Sequence, residues 1–95
     1  MIIISQVLIA LIALEHIFFL YLEMFAWETK GKAVFKGSLP AELFKPTKVL
    51  AANQGLYNGF LGAGLIWSLL ISDPIWSFYV AVFFLSCIVI AGSYA

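Results

Sequence analysis

Three long apolar segments constrain this chain more than any other feature of its sequence. They cover residues 2–27, 49–72 and 75–95. Each is long enough for the roughly 20 residues that an α-helix needs to cross a hydrocarbon core about 30 Å thick. None shows the alternation and regular turns of a membrane strand. The sequence therefore predicts an all-α integral membrane protein, a single domain that is a bundle of three transmembrane helices.

The composition agrees with lipid as the solvent of this chain. Of its residues, 64% are apolar and only 11% are charged, whereas a soluble domain carries about 45–50% and about 25%. So few charged residues cannot cover the outside of a soluble fold of this size. The lipid bilayer is therefore the first predicted partner. The formal net charge is zero, so no nucleic-acid partner is predicted. The lone Cys87 is interpreted as a small buried hydrophobe.

The charges indicate an orientation. All five lysines lie in the connection 28–48, and the turn 72–74 has none. Cytoplasmic loops collect lysine and arginine. We therefore expect a multi-pass protein of the cell membrane, with loop 28–48 in the cytoplasm and the N-terminus outside. The first segment lacks a positive start and a small-residue cleavage site, which favours a retained helix over a signal peptide.

Ionisable residues inside the first segment are the first candidates for function. Glu15, His16 and Glu23 lie in it, although a central charge costs about 2.5–3.5 kcal/mol in a membrane helix. With Trp27 at the interface, Glu23 lies roughly 6 Å and His16 roughly 16 Å deep, at 1.5 Å per residue. His16 and Glu23 share a helix face, and Glu15 lies about 80–100° away. All three fit in one inward-facing arc.

The second segment carries matching amides. On a helix, its polar side chains span an arc of about 140°; they are Asn53, Gln54, Tyr57 and Asn58. They lie at depths between that of Glu23 and that of His16 if the two helices are antiparallel. The sequence therefore predicts one polar pocket that reaches from the cytoplasmic side to the middle of the membrane.

A separate face of the second segment is smooth. Gly55, Gly59 and Gly62 lie on it, and Gly55 and Gly59 form a small-x-x-x-small pattern that lets helices approach closely. These three are the predicted helix-packing residues. Since three short helices enclose little volume, we expect a homo-oligomer, with the glycine face as the candidate contact.

No metal or cofactor is predicted. Glu15 and His16 are adjacent and point about 100° apart on a helix, which does not suit chelation of one ion by both. The sequence has no phosphate-binding glycine loop before a helix and no Gly-x-Ser-x-Gly nucleophile motif.

The stretches 13–27 and 53–61 together carry a resemblance to a known family. They resemble the small bacterial membrane proteins grouped as domain-of-unknown-function family 1304, and the similarity covers essentially the whole chain. The resemblance implies a membrane protein of usually four helices, in which a basic turn and a fourth helix follow the equivalent of residues 91–94. It implies no particular activity.

Three functions stay open at this point. The first is binding or transport of a small molecule of unknown identity through the intramembrane pocket, with Glu15, His16 and Glu23 coupling to protons. The second is a membrane-embedded enzyme, of proton-transfer or isomerase type, acting on a lipophilic substrate. The third is a non-catalytic assembly protein whose polar face joins helices. The outer half has few polar residues, which counts against a simple pore.

Overall fold

The protein is helical over the part of the chain that the structure describes. The structure, a computed structural model, describes residues 2–94. In chain order its elements are α1 (Ile3–Leu20), a π-helical turn (Tyr21–Phe25), α2 (Lys30–Val34), a 3-10 turn (Ala41–Leu43), α3 (Lys48–Leu70) and α4 (Pro74–Ser93). No strand occurs between residues 2 and 94, and the predicted all-α class is confirmed.

Two of the helices are long and apolar enough to cross a membrane. These are α1 with its π-helical turn, Ile3–Phe25, and α4, Pro74–Ser93, each with a mean hydropathy of 2.2. Helix α3 is longer than α4, with 23 residues, but amides and glycines in its first half lower its hydropathy. Length and composition therefore give two candidate membrane-crossing helices in residues 2–94, whereas the sequence predicted three.

The helix ends follow from local chemistry. The second predicted segment, 49–72, corresponds to α3 at Lys48–Leu70, and the third, 75–95, corresponds to α4 at Pro74–Ser93. Helix α4 begins at Pro74 because the Asp73 carboxylate accepts hydrogen bonds from the backbone N–H groups of Ile75, at 2.9 Å, and Trp76, at 3.3 Å. Ala95 lies outside the described residues.

Helices α1 and α3 pack closely because α3 presents glycines to α1. A Cβ at Gly55 would lie 3.0 Å from the Glu23 Cβ, and one at Gly62 would lie 3.0 Å from the Ala13 carbonyl oxygen. The Leu20 side chain occupies the space beside Gly59. The glycine face therefore packs on α1 of the same chain, so it is not free to contact a second copy as the sequence had suggested.

Helix α4 packs on the other side of α3, and this end of the bundle is apolar. The Phe84 ring lies directly against Gly64. A core cluster of Ile9, Ala13, Leu65 and Ala81 joins the three long helices. The two buried serines here satisfy their hydroxyls locally: Ser77 donates to the Ser68 carbonyl and Ser68 to the Leu65 carbonyl, both at 2.6 Å.

The connection between α1 and α3 folds back onto the bundle. Phe44 is buried, and its ring lies 4.8 Å from that of Trp27. The Trp27 indole N–H donates to the Thr47 hydroxyl at 3.1 Å. On its other side, Trp27 lies 5.6 Å from the Phe35 ring. These contacts place Phe35 beside the polar residues of α1 and α3.

Matched glycine substitutions test the α1–α3 packing. Gly62→Ala places a methyl group against the Ala13 carbonyl, so we expect it to destabilise the protein by about 1–3 kcal/mol, as overpacking does. Gly92→Ala is the control, because its Cβ would meet no described atom within 4 Å. Tryptophan fluorescence during thermal unfolding in detergent measures both variants. Equal unfolding temperatures for the two would contradict the packing described.

Candidate functional site

A polar cleft of about 390 Å³ lies among α1, α3 and α4. Its walls come from all three long helices and from the end of α2. The lining residues are Glu15, His16, Phe19, Glu23, Phe35, Gln54, Asn58, Leu61, Ile88, Ala91 and Gly92. Helices α1 and α4 each pack on α3 rather than on each other. The cleft therefore has α3 as its floor and opens between α1 and α4.

The three ionisable residues of the first segment all line this cleft. Glu15 is exposed at its mouth. His16 and Glu23 are deeper, with 8% and 7% of their surfaces accessible. His16 and Glu23 line the same cleft, although the helix widens into the π-helical turn at Tyr21, before it reaches Glu23. His16 and Glu23 are therefore buried side chains that face the cleft, not the outer surface of the bundle.

The hydrogen bond of His16 fixes which ring nitrogen accepts. Its Nδ1 lies 2.8 Å from the backbone carbonyl oxygen of Ile12. Because a carbonyl only accepts, Nδ1 carries the proton, and a neutral ring then has its lone pair on Nε2. Among the described residues Nε2 has no hydrogen-bond partner. The cleft is therefore lined by an imidazole acceptor.

Glu23 and Asn58 join the first segment to α3. The Asn58 Nδ2–H donates to Glu23 Oε1 at 2.5 Å. Gly55 makes this pair possible, since the backbone of α3 at Gly55 approaches the Glu23 Cβ without a side chain between them. The hydrogen bond satisfies one oxygen of the Glu23 carboxylate, and both members of the pair line the cleft.

The predicted polar face of α3 divides into two stripes. Gln54 and Asn58, four residues apart, line the cleft. Asn53 and Tyr57, also four apart, are exposed and line no part of it. Residues four apart share a helix face, whereas neighbours point about 100° apart. One arc of about 140° is therefore too wide to face a single cleft.

The remaining lining residues did not emerge from the sequence. Phe35 comes from the lysine-rich connection, and its only signal is an aromatic residue placed among charged and small ones. Leu61, Ile88, Ala91 and Gly92 are apolar positions of membrane-like helices. Their facing direction depends on how α3 and α4 pack, which periodicity alone does not specify in segments that are apolar all round.

A second cleft of about 380 Å³ continues toward the connection. It shares Glu23, Phe35 and Gln54 with the first and reaches Trp27 and Thr47. The Phe35 ring lies at the junction, with its centroid 6.4 Å from that of Phe19. The two clefts thus form one groove from the loop side to the level of Glu15.

The groove has acidic groups but no basic ones from the described lysines. None of the five lysines lines either cleft. Lys48 lies 3.8 Å from Glu28, and Lys30 lies 5.8 Å from the centre of the Tyr21 ring. Between residues 2 and 94, no three histidine, cysteine or acidic side chains come together as a metal site would require.

The fold and the cleft define a class: a small protein, helical over residues 2–94, with two helices long and apolar enough to cross a membrane and a polar cleft among its helices. The chain belongs to the family described as Protein of unknown function (DUF1304), whose model matches residues 10–95. The resemblance drawn from the sequence is therefore confirmed.

One relative is the uncharacterized protein YpaA of Lactococcus lactis subsp. lactis (strain IL1403), which is 38% identical over 81 residues. The match covers 77% of this chain, and the chain spans 62% of the length of YpaA. No solved structure matches the chain.

The pair of Glu23 and Asn58 is testable by its contribution to stability. Asn58→Leu removes the donor and leaves a buried carboxyl group unpaired, so we expect a loss of about 1 kcal/mol, within the range of about 0.6–1.7 kcal/mol for hydrogen bonds between membrane helices. Asn53→Leu, the same change at an exposed position outside the clefts, is the control. Unfolding in a detergent titration measures both. A comparable loss in Asn53→Leu would argue against a specific role for the pair.

Proposed function

We propose that this protein is a multi-pass membrane protein that binds a small amphipathic molecule in the cleft among α1, α3 and α4. One observation carries the proposal: five polar side chains from two helices converge on a single cleft of about 390 Å³. They are Glu15, His16, Glu23, Gln54 and Asn58. Ionisable groups within membrane helices are costly and mark ligand or ion sites by default. The cleft volume also falls within the usual range for small-molecule sites.

In this proposal α3 crosses the membrane together with α1 and α4. Part of its lower hydropathy comes from residues that lipid would not contact, although Asn53 is exposed outside the cleft. The glycines face α1, and Gln54 and Asn58 line the cleft. The bundle is 48 Å long, close to the about 40–45 Å of a bilayer with its headgroups. The packing of α3 inside the bundle and the length of the bundle both support the proposal of three spans.

A binding site closed at one end fits the cleft better than an open pore. Beyond Leu61 and Ile88, the apolar cluster of Ile9, Ala13 and Leu65 fills the space among the helices. A continuous water path would have to cross that cluster. Transport of the bound molecule would therefore need a rearrangement of the helices, with binding in the cleft as its first step.

Filling the cleft tests the binding function. Leu61→Trp inserts a bulky ring into the cleft, whereas Phe60→Trp changes a neighbour that is 56% exposed and does not line it. We expect a small molecule to co-purify with the wild type and with Phe60→Trp, and to be lost from Leu61→Trp. Native mass spectrometry of the protein released from detergent measures this. The binding proposal fails if no molecule is retained, or if all three proteins retain it equally.

The proposed orientation places the lysine-rich connection 28–48 in the cytoplasm and the turn at Asp73 outside. In a Cys87→Ala background, Lys36→Cys and Ser72→Cys provide one exposed thiol on each side. A membrane-impermeant maleimide added to intact cells should label Ser72→Cys at once, and Lys36→Cys only after the cells are permeabilised. The opposite pattern would reverse the topology.

A further inference from the structure

We propose that the ligand of this cleft is an organic cation, a lipophilic ammonium or phosphonium ion. This inference rests on the proposed function, since it names the chemical class that the cleft selects. Three properties of the lining lead to it: its charge, the unpaired acceptors of its two buried ionisable side chains, and its aromatic walls.

The first property is uncompensated negative charge. Glu15 and Glu23 both line the cleft, and no described lysine does. Neither carboxylate has an ion-pair partner among the described residues. The ion pair found there joins Lys48 to Glu28 instead. A carboxylate in a low-dielectric surrounding is costly unless a positive charge accompanies it. A cation bound in the cleft supplies that charge, whereas an anion would add repulsion.

The second property is an unpaired acceptor on each of the two buried ionisable side chains, His16 and Glu23. His16 is more than nine-tenths buried, uses its Nδ1 proton on the Ile12 carbonyl and leaves Nε2 as an acceptor. Asn58 uses one N–H on Glu23 and keeps both its second N–H and its amide oxygen. Glu23 keeps a second carboxylate oxygen without a described partner. A ligand that donates protons or carries positive charge complements these groups.

The third property is the aromatic wall. Phe19 and Phe35 both line the cleft, with ring centroids 6.4 Å apart. The negative face of an aromatic ring attracts a cation within about 6 Å of its centroid, and the attraction grows when water is excluded. Leu61 and Ile88 offer apolar surface to the rest of the ligand. The cleft thus combines charge pairing with a hydrocarbon lining, as a lipophilic cation requires.

Two ions of the same shape and opposite charge test the inference. Equilibrium dialysis of the purified full chain, in a neutral detergent, measures binding of tetraphenylphosphonium and of tetraphenylborate. We expect the phosphonium ion to bind saturably and the borate ion not to bind. Glu23→Gln keeps the side-chain shape and removes the charge, so it should weaken phosphonium binding at least about tenfold.

Two further variants keep the test decisive. Glu15→Gln removes the exposed carboxylate at the mouth and should also weaken phosphonium binding, even if Glu23→Gln proves too unstable to purify. Glu42→Gln removes an exposed carboxylate outside both clefts and should leave binding unchanged. An equal loss in Glu42→Gln would mean that the overall charge attracts the probe, and would overturn the inference.

The outcomes separate this inference from the proposed function. If tetraphenylborate binds as well as the phosphonium ion and Leu61→Trp abolishes both, the cleft binds ligands but does not select cations. If neither probe binds and the co-purified molecule is neutral or anionic, the inference again fails while the binding function stands. If neither probe binds and nothing co-purifies, both fail.

Discussion

The close approach of α1 and α3 is the constraint on which the rest of this structure depends. Gly55, Gly59 and Gly62 remove side chains from one face of α3, and the backbone and side chains of α1 occupy the space. Membrane helices have no hydrophobic effect between them in lipid, so close packing and hydrogen bonds must supply the attraction. The glycines make both available. They let the two helices approach closely over about two turns, and they bring Glu23 within hydrogen-bond reach of Asn58.

The site is a consequence of that packing. With α3 fixed against α1, the stripe of Gln54, Asn58 and Leu61 turns toward the side on which α4 also packs. The polar residues then lie in a cleft with one paired group, the Glu23 carboxylate, and one imidazole whose tautomer its own helix fixes. A polar cluster that served only to join helices would be expected to satisfy its members among themselves. Here the Nε2 of His16 stays available.

The sequence predicted the class of fold and the half of the site that lies on α1, because hydropathy and helical spacing act locally. Glu15, His16 and Glu23 line one cleft, as their spacing indicates. It did not predict that Asn53 would face away from that cleft, since the direction of a stripe on α3 depends on where the glycines meet α1. Nor did it predict Phe35, whose position depends on aromatic contacts made by a folded connection.

The π-helical turn at Tyr21–Phe25 has a consequence for how this chain tolerates changes in length. The Ala26 N–H bonds to the Tyr21 carbonyl, five residues earlier, at 3.1 Å, so the turn holds one residue more than an α-helical turn does. Deleting a single residue there would restore a regular helix and would leave the residues after it facing nearly as they do now, because the wider turn already absorbs one extra residue. The span would still cross the membrane. A deletion in the regular turns of α1 before His16 would instead rotate the residues that precede it by about 100° relative to His16, so this turn is the part of the span that best tolerates the loss of one residue.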